Sequence, residues 1–346
     1  MTTQRSGALL LALALCGFAA CDNAADDNDF ETQATLNVKA LVDAQLKTLV
    51  QASEDLQKAA PEADDDGWND KDDAEAYKKM VAAWKKARTA YENVEGPIAV
   101  LFAGLDVSTD ARYDAFIEEN GPDENLFDDE NVTGMHAIER ILFSSSTPDY
   151  VVKFEKALHG YKAAAFPKTK DEADAFKNKL CKRLVTDTKK MKEDYADIAL
   201  QVTTAFQGIV GSVQEQSEKT NLAATGEDES RYSQNTMADM RANLNGAREV
   251  YKAFKPWIED TKGDAAGIEK GFERLEAAYK GVDGDALPKA PDSFNPDEPS
   301  EEHLASPYGK LYKLLADETD LENKESLVTI INDAAIGMGI VGLDEE

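Results

Sequence analysis

ATLNVKALVDAQLKTLVQASEDLQKAAP, residues 34–61, decides the fold class. Val38, Val42, Leu46, Leu49 and Leu56 recur at intervals of three, four and seven. That spacing gathers them on one stripe of a 3.6-residue helix, and Pro61 ends the run. Downstream, Tyr77, Met80, Trp84, Ala87, Tyr91, Val94 and Ile98 repeat the pattern and predict a helix over 72–102. Gly96-Pro97 is expected to kink or break it. Further helices are predicted over 110–119, 132–143, 149–166, 170–224 (broken near Gly208 or Gly211), 229–257, 265–280, 303–316 and 324–341. NGPDENLFDDEN (120–131) and the Pro-rich ALPKAPDSFNPDEPS (286–300) read as connections. No segment alternates with the period of two that a strand requires. The class is all-α, built from helix bundles.

The chain has 346 residues, with 67 Asp and Glu against 38 Lys and Arg, a formal charge of −29. Such a surface repels phosphate backbones and anionic headgroups, so no nucleic-acid partner is expected. Arg5 followed by the apolar run from Leu9 to Leu15 reads as an export signal, too short to span a membrane. Phe18-Ala19-Ala20-Cys21 resembles a bacterial lipobox, with Phe18 where Leu is usual. Residues 1–21 are therefore expected to be a lipoprotein signal peptide and Cys21 the lipidated residue. That makes lipid the only contact with a membrane; a plain signal peptide is the alternative. Asp22 hints at retention on an inner membrane. Residues 22–33 are expected to be a disordered acidic tether. The third cysteine, Cys181, then has no partner, which excludes an intramolecular disulfide and a thiolate cluster.

Chemistry concentrates in VTGMHAIERILF, residues 132–143. His136 and Glu139 leave one helix face as neighbours, able to share a metal ion or a proton. Spacing alone favours the ordinary reading, a surface pair on an amphipathic helix. His159 and His303, among lysines, glutamates and turn residues, read as surface histidines. On the second helix Arg88, Glu92 and Glu95 share a face, which again describes a common salt-bridged surface. HExxH, a Gly-x-Ser-x-Gly elbow and a phosphate-binding Gly-rich loop are all missing from the sequence.

Four runs in order carry a resemblance: WKKARTAYENVEGP (84–97), DARYD (110–114), TGMHAIERILF (133–143) and RYSQNTMADMRANLNGA (231–247). Together they resemble the imelysin family, and within it the EfeO-type branch of periplasmic iron-uptake proteins. The resemblance implies two packed four-helix bundles over residues 34–346, dividing at about 34–167 and 168–346. It implies metal ligands at His136, Glu139, Glu92, Glu95 and Asp239, with Arg88, Asp110 and Arg112 supporting them. Gln234 stands where relatives often have His, the loop 115–131 is long, and the chain reads as a short form without a cupredoxin-like domain. One His among carboxylates suits iron or another divalent or trivalent transition metal, with zinc as the alternative. The function implied is a membrane-anchored periplasmic protein that delivers iron to uptake components of the inner or outer membrane. The competing reading is a metallopeptidase with His136 as ligand and Glu139 as ligand or general base.

Overall fold

The computed structural model describes residues 29–340. The expected signal segment, Cys21 and the tether as far as residue 28 lie outside the described residues; the helix predicted to reach 341 already stops at Gly337. Every regular element among the described residues is helical. Helix α1, Phe30–Ala59, buries the stripe Val38, Val42, Leu46, Leu49 and Leu56. It begins before residue 34 because Asp29 accepts a hydrogen bond from the Thr32 amide at 3.0 Å, a side-chain cap that ends the expected tether early.

The second predicted helix divides sooner than expected. α2, Ala74–Glu92, stops at Asn93, and α3 runs Glu95–Leu101. Pro97 therefore sits in the first turn of α3, where its missing N–H is not needed. Gly208 is not a break. It lies inside α10, Val202–Ala223, where α3 crosses so closely that a Cβ on Gly96 would sit 2.5 Å from the Gly208 carbonyl oxygen. The break in the 170–224 stretch falls at residues 197–201. There Lys39 donates to the carbonyls of Tyr195 and Ile198 at 2.7 and 2.8 Å, satisfying the end of the preceding helix.

α4 (Ala103–Asp110), α5 (Tyr113–Asn120), α6 (Gly134–Leu142) and α7 (Asp149–Glu155) are short. α7 ends well before the predicted residue 166. The chain turns at Gly160 with φ +89° and then runs non-helical, with Lys162 N donating to Tyr113 Oη at 2.8 Å and the Trp68 amide donating to the Pro167 carbonyl at 3.2 Å. α8 (Lys170–Ala175) passes through a π-helical turn, Phe176–Leu180, into α9 (Cys181–Ala196). α11 (Thr236–Asp260) starts seven residues later than predicted, after a turn in which Gln234 takes φ +57°. α12 (Ala265–Lys280), α13 (Glu301–Ala305), α14 (Pro307–Thr319) and α15 (Leu327–Gly337) complete the chain.

α1 packs against α2, α9 and α11, while α10 packs against α11, α3, α14 and α15. α11 thus touches both groups, and one apolar cluster runs through them from Val42 and Trp84 to Val213, Phe254 and Ile331. No helix among the described residues is long and apolar enough to cross a membrane. A large group of buried charges gathers where α2, α3, α4, α6 and α10 meet the turn ahead of α11.

Candidate metal centre

Gly134 fixes how α6 enters this region. Its φ is +89°, and a Cβ there would lie 2.3 Å from the carbonyl oxygen of Thr109 at the end of α4. Only glycine allows that approach without displacing the backbone. Two residues later His136, 1% exposed, stands with Nε2 3.4 Å from Asp110 Oδ1 and 3.8 Å from Glu229 Oε1. Its Nδ1 lies 2.8 Å from Glu139 Oε2. The other oxygen of Glu139 accepts hydrogen bonds from Ser233 N at 2.8 Å and Ser233 Oγ at 2.7 Å. The ring is thereby held from behind, and Nε2 is left buried without a hydrogen-bond partner.

Two fixed cations stand beside it. Arg88, fully buried, bonds Asp110 and Glu92 closely and reaches Glu229 at 2.7 Å. Lys219 Nζ lies 2.5 Å from Glu229, 2.8 Å from Glu92, 2.9 Å from Glu215 and 3.1 Å from Glu95. Asn243 donates to Glu95 and Glu215, both at 3.0 Å. Ligand atoms of Asp110, His136 and Glu229 all lie within 4.8 Å of one another, and so do those of Glu92, Glu95, Glu215 and Glu229. Glu229 belongs to both sets.

A cavity of about 580 Å³ opens onto this network, lined by Glu95, Asp106, Asp110, Arg112, His136 and Glu215 among others, with exposed Val107 at its mouth. Burial, reinforced by neighbouring carboxylates, pushes Glu92 and Glu95 well above the usual range and Glu215 up to about 7. Burial likewise carries Asp110 up to about 6 despite Arg88. Burial opposes a charge on His136, but Asp110 foremost, with Glu139 and Glu229, pushes it up to about 9. Glu229 moves the other way: against burial, Lys219 and Arg88 hold it well below the usual range. The carboxylates outnumber Arg88 and Lys219, and the raised values of Glu92, Glu95, Asp110, Glu215 and His136 show that excess met by bound protons, which a further cation would have to displace.

The residues singled out from the sequence are distributed as follows. His136 joins the first set, Glu92 and Glu95 the second, and Asp110 is a member of the first set rather than outside it. Glu139 backs His136. Asp239 stands in neither set: it accepts hydrogen bonds from Ser230 Oγ and from Asn235 at 2.9 Å, with Arg88 3.6 Å away. Arg112 lines the cavity and donates to the Glu227 carbonyl at 3.2 Å. Glu229, Glu215 and Lys219 escaped the sequence reading. Glu215 and Lys219 carried one signal, an i,i+4 acid–base pair indistinguishable from a surface pair; Glu229 sits in a turn and carried none.

The model of the imelysin family matches residues 33–316. The chain belongs to the imelysin family. Among its relatives, the iron uptake system component EfeM of Pseudomonas syringae is 29% identical over 218 residues, 62% of either chain. An Efem/EfeO family lipoprotein of Staphylococcus haemolyticus is 30% identical over 219 residues, again 62% of either chain. The iron uptake system component EfeO of Yersinia pseudotuberculosis is 26% identical over 196 residues, 57% of this chain and 41% of its own. The chain thus covers less than two thirds of the length of each. In this imelysin-family chain, Gly134, His136 and Glu139 have separate physical tasks: close approach, a free ring nitrogen, and the support behind it.

Proposed function

We propose that this protein binds a transition-metal cation, iron foremost, as cargo, and passes it to an uptake system of the cell envelope. The observation that carries the reading is His136 Nε2, buried without a hydrogen-bond partner and facing Asp110 and Glu229 at the wall of a cavity. A metal-ligating histidine typically gives its other ring nitrogen to a carboxylate, which fixes the tautomer; Glu139 stands in that position. One imidazole with carboxylates is a hard donor set suited to iron, manganese or zinc. His136, Asp110 and Glu229 would hold the ion, while Arg88 positions both carboxylates.

The names of the relatives, iron uptake components and a lipoprotein, support iron as the ion and the envelope as the place. On this reading Cys21 carries the lipid anchor and components of the inner or outer membrane receive the ion. The peptidase reading asks Glu139 to act as a base on bound water, yet its two oxygens already face His136 and Ser233.

Metal analysis and calorimetric titration with ferrous iron test the proposal, on protein purified without a histidine tag. One ion per chain is expected, with binding abolished or weakened at least a hundredfold in His136→Ala. Full affinity in His136→Ala would overturn it.

A further inference from the structure

The second carboxylate set is arranged around an atom that belongs to the protein. Nζ of Lys219 lies between 2.5 and 3.1 Å from oxygens of Glu229, Glu92, Glu215 and Glu95. An ammonium has three N–H donors, so four carboxylates exceed what it can bond singly. Four converging oxygens are instead what a hard metal cation gathers, at shorter range. On the far side of the shared Glu229, His136 Nε2 is buried without a partner 3.8 Å from Oε1. The centre therefore has the outline of two adjoining cation subsites joined through one carboxylate, one of them filled by a side chain.

We infer that Lys219 is a built-in cation occupying the second subsite of a two-cation centre, and that it restricts the protein to one metal ion per chain. Its position follows from the fold. Lys219 projects from α10 with its side chain 3% exposed, and Glu215, one turn earlier on the same helix, approaches it from the cavity side. The tethered charge neutralises a cluster that would otherwise draw in a second hard cation, and it leaves the His136 side free to load and unload. A lysine is a suitable occupant because the ammonium is a compact charge on a flexible stem. The inference rests on the metal-cargo reading for the first ion only; the second subsite stands on its own geometry.

The test counts ions by manganese(II) titration and elemental analysis of wild type, Lys219→Met and Lys219→Arg. One ion is expected in wild type and in Lys219→Arg, and two in Lys219→Met, the added one lost again in Lys219→Met/Glu215→Gln. Two ions in wild type, or none gained in Lys219→Met, would overturn the inference. A wild type binding none while Lys219→Met binds one would overturn the cargo reading and support this one. Where Lys219→Met does not fold, Glu215→Gln in the wild-type background decides. First-ion affinity unchanged within about threefold supports a lysine-filled second subsite, since the retained lysine leaves Glu215 off the metal. A loss of tenfold or more would make Glu215 a ligand of the wild-type ion and overturn it.

Discussion

Two buried ionic networks lie close together in this molecule and are built on opposite principles. In one, Arg140 grips Glu155 with two nitrogens at 2.9 to 3.3 Å, Tyr232 donates to the same carboxylate at 2.5 Å, and the guanidinium stacks 3.7 Å from the Tyr113 ring. Arg231 pairs nearby with Asp114. Each cation has one acid. In the other, six carboxylates (Glu92, Glu95, Asp110, Glu215, Glu229 and Asp239) meet Arg88 and Lys219, with a cavity alongside. The balanced network matches each cation with one carboxylate, and its Arg140–Glu155 pair fastens α6 to α7. The unbalanced one, on the proposed reading, would take a further cation from outside. Burial alone does not separate structural from functional charge; the local charge count and access to solvent do.

The sharpest way to break the comparison is to remove one cation from the balanced side. Arg140→Met leaves Glu155 buried and uncompensated, and should cost about 3–5 kcal/mol of stability. The check is urea unfolding, with metal stoichiometry unchanged below the transition. His136→Ala should act chiefly on the metal, weakening it by at least a hundredfold in calorimetry, while also lowering the stability of the metal-free protein, because it empties a buried site and takes the ring from between Glu139 and Asp110. Glu139→Gln should fall between, weakening the metal by about 10–100-fold through loss of the charge behind the ring. Unchanged affinity in that variant would remove Glu139 from the site.

The smallest effect expected is on pH dependence. Asp110 and Glu215, pushed up to about 6 and about 7, and His136, pushed up to about 9, retain protons in the folded, metal-free chain after the unfolded chain has released them. Folding therefore takes up protons across this range, and stability falls as pH rises. The melting temperature of metal-free protein should decrease from about pH 5.5 to about pH 8.5. Saturating metal should oppose that trend, because the ion replaces those protons and binds more tightly as pH rises. A melting temperature that rises with pH in the metal-free protein would contradict these shifts.

The helical class could be read directly from the stripes at Val38 and Trp84, because burying one face of a helix imposes a period on the sequence. Boundaries were harder. Gly208 looks like a breaker in isolation and is in fact the contact that lets Pro97 approach α10. Residues 156–168 have a helical composition, yet their backbone is held by Tyr113 and Trp68, partners from elsewhere in the chain. The site divides along the same line. His136 with Glu139, and Arg88 with Glu92 and Glu95, share helix faces and were visible as pairs. Glu229 comes from an irregular turn, and Lys219 looked like half of a surface pair until α10 was packed against α3.

The first carboxylate set has a topological side. Among the described residues the one cysteine is Cys181, buried and unpaired, so no covalent cross-link ties their distant parts together. An ion held by Asp110, His136 and Glu229 would close a chain loop of 119 positions. Because such an ion would bind only the folded chain, it would add its binding free energy against unfolding, about 2.7 kcal/mol at a hundredfold excess over its Kd. Cargo held there would act as a removable staple, so an unloaded molecule would also be a looser one, easier for proteases to cut.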